Sequence, residues 1–266
     1  MDVNSGHPPR PRPWRIWLPL LARRHAWHGL LFPSLALIGM LVLLSPYLLT
    51  NSIASMRNVT VCEPKSLFPL LNGGYLDDAI PFVGWSLLVY QTNFLFYILL
   101  CFSTPRTNSG RRQLLVTVQF IVLASWFAFV VFLLLPTRVD LREQAFAAGA
   151  TRGWLGPLYS SMHLLDPPYN AWPSLHVAQT FLAAIGMTHW CGGPGRTLRV
   201  SLLWILWAAL VCSTLTTKQH FVWDALTGLV LGVSVWWFGL RPALAVTRGR
   251  QRAASVDGCD IAQPVV

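Results

Sequence analysis

Six stretches of the chain are so apolar, and so nearly free of charge, that lipid rather than water is the solvent they fit. A lipid-exposed backbone has to satisfy its own hydrogen bonds, so each stretch reads as a helix of about 20 residues. The spans fall near residues 29–50, 80–102, 114–136, 174–190, 199–216 and 221–240. The expected fold class is therefore an all-α integral membrane protein, a six-transmembrane-helix bundle. Composition agrees, since 54% of the 266 residues are hydrophobic and 11% are charged, against roughly a quarter charged in soluble domains. That length leaves no room for a separate soluble domain. The first apolar run starts near Gly29 and is too long for the core of a secretory signal. No small-residue cleavage site follows it, so it is expected to remain as a span.

The net charge is +10. The basic residues sit between apolar stretches and form no single basic stripe, which argues against nucleic acid as a partner. Five of them lie in residues 1–28, three in the second-to-third connection, two in the fourth-to-fifth and four after residue 240; the other six lie on the opposite side. The excess of positive charge marks the cytoplasmic side, so both termini are expected in the cytoplasm of a plasma or inner membrane. The chain then divides into a basic arm (1–28), a membrane catalytic domain (29–240) and a tail (241–266). Both arms are rich in Pro, Arg and small residues and read as disordered segments near the lipid surface. Trp14, Trp17, Trp27, Trp236 and Trp237 on one side, with Trp154, Trp172 and Trp223 on the other, fit interfacial belts. The five cysteines show no zinc-site or disulfide spacing.

The chemistry concentrates at the outer ends of two spans. Trp172-Pro173-Ser174-Leu175-His176 opens the fourth and His220-Phe221-Val222-Trp223-Asp224 opens the sixth. Pro173 suits a first helical turn, where a missing N–H costs nothing. His220 and Asp224 are four apart and would share a helix face. Both spans start at the outer leaflet, so their free N–H groups and positive dipole ends suit a phosphate there. One imidazole can attack phosphorus while the other donates a proton, and the carboxylate can fix a tautomer. Phosphoryl transfer without a metal or other cofactor is the expected chemistry. Interfacial histidines and a capping aspartate are the plainer alternative. An ionisable group inside a span usually marks function, however, and Asp224 is the sole acidic residue within the spans as drawn.

Pro173-Ser174-Leu175-His176, followed by Ser213, His220 and Asp224, resembles the last two signatures of the type-2 phosphatidic acid phosphatase superfamily. Within it, the inositol-phosphorylceramide-synthase-like (inositolphosphotransferase) branch is the nearest match. DDAIPFVGWSLLVYQ (Asp77 to Gln91), LLPTRVDLR (Leu134 to Arg142) and STLTTKQHFVWDALTG (Ser213 to Gly228) support it, and the resemblance covers residues 75–240. It implies the six-helix fold of the phosphatidic acid phosphatases and haloperoxidases. It implies His220 as a nucleophile that forms a phosphohistidine, Asp224 as its orienting group, and His176 as the acid on the leaving oxygen. Thr214 stands where the superfamily has Arg, and its first signature has no counterpart here. Ser174, Lys218, Arg142 and Ser213 are then the candidate phosphate contacts, with Arg138 and Arg152 behind them.

Weaker constellations remain. His163, Asp166 and Tyr169 read as loop residues, with a role in shaping the substrate mouth as the alternative. Asp77-Asp78 makes a poor divalent-ion site. His176, His220 and Asp224 could instead ligate a metal as two histidines and a carboxylate. Gly228 and Gly232 mark close helix packing. The reading that results is a lipid phosphatase or phosphotransferase acting on a lipid-linked phosphate at the extracytoplasmic face, with the bilayer as its other partner. The alternative is a non-enzymatic membrane protein, a lipid transporter or assembly subunit, whose mark would be polar residues running through the midplane. Gln119, Ser125, Gln179 and Thr180 are the few polar residues of that kind.

Overall fold

The computed structural model describes residues 13–22, 29–61, 63–71 and 73–245. Its long helices are α1 (Leu31–Arg57), α2 (Ser86–Phe102), α3 (Asn108–Leu134), α4 (Leu175–Trp190), α5 (Arg196–Thr216) and α6 (Val222–Ala245). Among the described residues there is no strand, only the isolated bridges Pro69–Tyr75 and Thr137–Asn170. Four helices, α1, α3, α5 and α6, are long and apolar enough to cross a membrane, whereas α2 and α4 are shorter.

Several boundaries differ from expectation, for local reasons. Thr50 and Ser52 return their hydroxyls to the carbonyls of Tyr47 and Leu48, so the polar end of α1 stays helical to Arg57. Pro46 opens its second half, where a missing N–H is tolerated. Helix α3 starts early because the Thr107 hydroxyl accepts the Gly110 N–H at 3.0 Å. Arg111 in its first turn is buried with its guanidinium over the Phe32 ring.

Helix α4 is short and surrounded by protein. It packs against α2, α3, α5 and α6, and none of its residues is exposed. Its Gln179 donates to Ser125 Oγ at 2.7 Å and accepts from the Tyr97 hydroxyl, so these polar groups are spent on one another. Outside, Ile38, Val42, Leu49, Phe127, Val130, Leu202, Ile205, Val230 and Phe238 stand exposed on the long helices. Large apolar side chains facing outward from several helices are what lipid contact produces.

The expectation of a disordered arm does not hold for residues 15–22. Arg15–Trp17 and Leu18–Ala22 are short helices. The Trp14 N–H donates to Gln119 Oε1 at 2.9 Å, and Trp17 is buried against Gly39 rather than lying in an interfacial belt. The remainder of that arm with Trp27, the tail from residue 246 with Cys259, and Cys62 lie outside the described residues.

The long connection 135–174 folds over the end of the bundle where α4 and α6 begin. It carries the helices Arg142–Ala147 and Gly156–Leu165. Tyr159 and Ala145 bury against Leu87 and Tyr90 at the start of α2.

Candidate active site

Close contact between α4 and α6 sets the site. The Ser174 N–H donates to the Asp224 carbonyl at 3.0 Å. A Cβ on Gly228 would fall inside van der Waals contact of the Ser174 backbone, so glycine is what lets the two helices meet. Farther along, Gly232 approaches Phe181 and Ala178 in the same way. The glycine pair read from sequence as close packing does that.

The chain leaving α5 then has to turn His220 back toward Ser174. Lys218 makes the turn at φ 60, and the Thr214 carbonyl accepts both the Gln219 and His220 N–H groups at 3.2 Å. Left-handed backbone at a non-glycine residue is uncommon, so the surroundings must hold it. They do, because Lys218 Nζ donates to the Asp77 carbonyl at 2.7 Å and Asp77 Oδ1 accepts the Val222 N–H at 2.7 Å. Asp224 Oδ2 accepts the Phe221 N–H at 2.8 Å. The Phe221 and Val222 N–H groups at the start of α6 are thus occupied by carboxylates, so these two are spent and do not face a phosphate. Burial lowers the Lys218 ammonium pKa and raises that of the Asp77 carboxyl.

His220 Nε2 lies 3.2 Å from His176 Nδ1 and 3.4 Å from Ser174 Oγ. On the other edge, Nδ1 faces Asp224 Oδ2 at 3.5 Å, longer than a hydrogen bond but close enough to favour positive charge on the ring. The proximity comes from the turn before α6, since His220 precedes the helix and does not share its face. The His176 ring lies against Tyr90 with centroids 4.6 Å apart. Burial pushes His220 down to about 4, with the Asp166 carboxylate opposing and the Arg142 guanidinium assisting. The imidazole is therefore neutral at pH 7, with a lone pair available at one nitrogen.

Beside His220 is a small pocket of about 10 Å³, room for about one water molecule, lined by Tyr47, Arg142, Asp166, Asn170 and Gln219, among others. Arg142 is buried; it donates to the Asp166 carbonyl at 2.6 Å, and its Nη2 lies 3.8 Å from Asp166 Oδ2. Asp166 also accepts from the Tyr47 hydroxyl at 2.5 Å and Asn51 Nδ2 at 2.6 Å, which ties α1 to the site.

His176, His220, Asp224 and Ser174 are thus brought together, and Arg142 opens on the same pocket. Two candidate contacts are not. The Ser213 hydroxyl bonds back to the Leu210 carbonyl, and Lys218 spends its ammonium on Asp77. Arg138 pairs with Glu143 at 3.6 Å in the outer loop, and Arg152 sits in an exposed turn. Pro173 stands outside the first turn, because α4 begins at Leu175. Asp78 is held by Lys65 at 2.9 Å and Gln144 at 2.5 Å, while Asp77 braces α6, so the pair does not converge on an ion. The metal alternative meets a similar geometry: His176 is at one ring nitrogen of His220 and Asp224 at the other. Among the described residues no metal-binding cluster of His, Cys, Asp or Glu occurs. Tyr90, Asn170, Gln219 and the central role of Asp166 were not read from sequence. Asp166 was read there only as a loop residue near the substrate mouth.

Paired imidazoles backed by a carboxylate thus stand at the helix ends of an apolar bundle. The family model described as the PAP2 superfamily matches residues 70–238, and the chain belongs to that superfamily. The match is to the superfamily and does not distinguish its branches. No curated protein and no solved structure matches the chain.

Proposed function

We propose that the chain is a membrane lipid phosphatase or phosphotransferase that acts through a phosphohistidine. Six spans would place both termini in the cytoplasm and the site at the extracytoplasmic headgroup level, as the basic-residue bias suggests. Membership of the PAP2 superfamily supports a lipid-phosphate substrate. The observation that carries the mechanism is His220, with one ring nitrogen 3.2 Å from His176 and the other 3.5 Å from Asp224.

In this mechanism the neutral His220 Nε2 attacks phosphorus and forms a P–N bond. The bond from phosphorus to the lipid oxygen breaks, and His176 gives its proton to that oxygen. Asp224 offsets the positive charge the His220 ring gains. Arg142 and Ser174 hold phosphate oxygens. Water or an alcohol then attacks the phosphohistidine, His176 takes its proton, and the P–N bond breaks to return both rings. Water makes the protein a phosphatase and a lipid or sugar hydroxyl makes it a transferase. The rival reading, a transporter, gains no path from the midplane polar groups, because Tyr97, Gln179 and Ser125 close on one another.

Trapping tests the reading. Purified protein given ³²P-labelled lipid phosphate should yield an acid-labile, base-stable phosphoenzyme, and His220→Ala should yield none. His176→Ala should form it slowly from a lipid phosphate but readily from a nitrophenyl phosphate, whose leaving group needs little protonation. Phosphate trapped on His220→Ala would overturn the assignment.

A further inference from the structure

Helices α2 and α5 meet at the His220 end of the bundle and part toward the other. At the first, Thr216 Oγ1 donates to Ser86 Oγ at 2.8 Å and the Val83 N–H donates to the Thr216 carbonyl at 2.9 Å. Helix α5 packs closely on Ser86–Tyr90, and the contact thins out along Thr92–Phe102. The gap is a groove of about 530 Å³, within the roughly 300–1,000 Å³ of small-molecule sites. Leu99 of α2 faces Leu203 and Leu206 of α5 across it. Met187 and Trp190, in the last turn of α4, line it between them.

The mouth of this apolar groove is cationic. Arg199 lines it, and Arg196 lies one turn earlier on the same face of α5. Both side chains fold over the 191–195 turn. Arg196 Nε donates to the Cys191 carbonyl at 2.9 Å, while Arg199 donates to the Pro194 carbonyl at 2.8 Å and to the Gly192 carbonyl. Each terminal nitrogen of Arg199 keeps a second N–H, and such a fork pairs well with phosphate. No carboxylate competes for it. Among the described residues every Asp and Glu lies toward the His220 end, whereas Arg106, Arg112, Arg196, Arg199 and Arg241 stand at this one.

Apolar walls below fixed guanidinium groups suit an amphiphile with an anionic head. A second copy of the chain in the same membrane would bring its own arginines to the same leaflet, where like charges repel. A zwitterionic lipid would set its ammonium among those cations. Basic pockets between spans are suited to anionic headgroups.

We propose that the groove between α2 and α5 holds one anionic glycerophospholipid, its phosphate on Arg199 and Arg196 and an acyl chain along Leu99, Leu203 and Leu206. This site lies at the opposite end of the bundle from His220 and does not depend on the phosphohistidine reading. Its occupant is a bound lipid of that leaflet and not a substrate.

The test uses the delipidated full chain in detergent with palmitoyl-oleoyl phosphatidylglycerol or phosphatidylcholine. Two readouts are taken: lipid retained in native mass spectrometry, and the alkylation rate of Cys191, which lines the groove. One phosphatidylglycerol should be retained about tenfold more tightly than phosphatidylcholine, as two arginines near an anionic head predict. It should slow alkylation of Cys191 severalfold. The doubly substituted R196Q/R199Q chain should bring the two lipids to parity. Leu203→Trp, which fills the groove and keeps the charges, should abolish the protection of Cys191. The wild-type preference and protection stand even if a variant does not fold. Retention of both lipids equally, or of neither, overturns the site. So does a preference that persists in R196Q/R199Q or leaves Cys191 unprotected, because the anionic lipid then sits elsewhere. Protection of Cys191 without lipid overturns it too, in favour of a second copy if the mass is a dimer's. If removing residues 246–266 lifts that protection, the occupant is the chain's own tail.

Discussion

His220 is held between a second imidazole and a carboxylate, and its neutrality has a cost that pH exposes. Burial pushes both His220 and His163 down to about 4 from 6.5. Between those values the unfolded chain binds more protons than the folded one. The stability they contribute is therefore whole above pH 6.5 and declines as pH falls toward 4. Thermal unfolding in detergent should show a steady fall in Tm below pH 6.5, shallower in His163→Gln. A Tm unchanged between pH 7.5 and 5 would contradict the buried neutral rings. Asp224→Asn should keep the fold yet slow phosphoenzyme formation by up to about 10⁴, the loss seen when an orienting carboxylate becomes an amide. The two histidines and the aspartate were legible because each sits at the mouth of an apolar run. Side-chain direction was not. Ser213 belongs to a recognisable motif, but its hydroxyl satisfies its own helix, and Lys218 lies two residues from His220 yet faces Asp77. Asp166 and Asn170 were hidden for another reason: their partners Tyr47, Asn51 and Thr50 lie more than a hundred residues away.

At the scale of elements, the α4–α6 contact decides whether the two imidazoles meet. Gly228→Ala puts a methyl group against the Ser174 backbone, which cannot rotate aside as a side chain would. Overpacking of this kind costs about 1–3 kcal/mol, and a displacement near 1 Å at reacting groups costs about 10²-fold in rate. Activity should therefore fall much further than Tm. Gly232→Ala meets the edge of the Phe181 ring and should lose less. Equal activity losses in the two variants would mean that the glycines serve helix association alone. Asp77→Ala should act differently, freeing the start of α6 and costing about 0.5–2 kcal/mol as a lost cap does. Apolar runs fixed the helices themselves in the sequence. The extension of α1 to Arg57 was not foreseeable from hydropathy, because it depends on polar side chains bonding back into the helix.

Across the whole molecule, the site end and the opposite end differ in charge, and that difference makes the proposed orientation testable. Cys191 lies at the opposite end, between α4 and α5, and Arg152 lies in the cap over the site. In intact cells a membrane-impermeant thiol reagent should label Arg152→Cys and leave Cys191 untouched until the membrane is opened. The reverse pattern would put the site in the cytoplasm. The wrapped position of α4 has a consequence for the bilayer as a mechanical environment. A thicker or thinner membrane acts on helices through their lipid-facing surfaces, by tilt and by stretch. Those surfaces belong to α1, α2, α3, α5 and α6, whereas α4 presents no exposed residue. His176 therefore rides on an element that the surrounding lipid cannot pull directly. In nanodiscs of increasing acyl length, turnover of a soluble nitrophenyl phosphate should stay nearly level, as expected of a catalytic rod sheathed from its membrane.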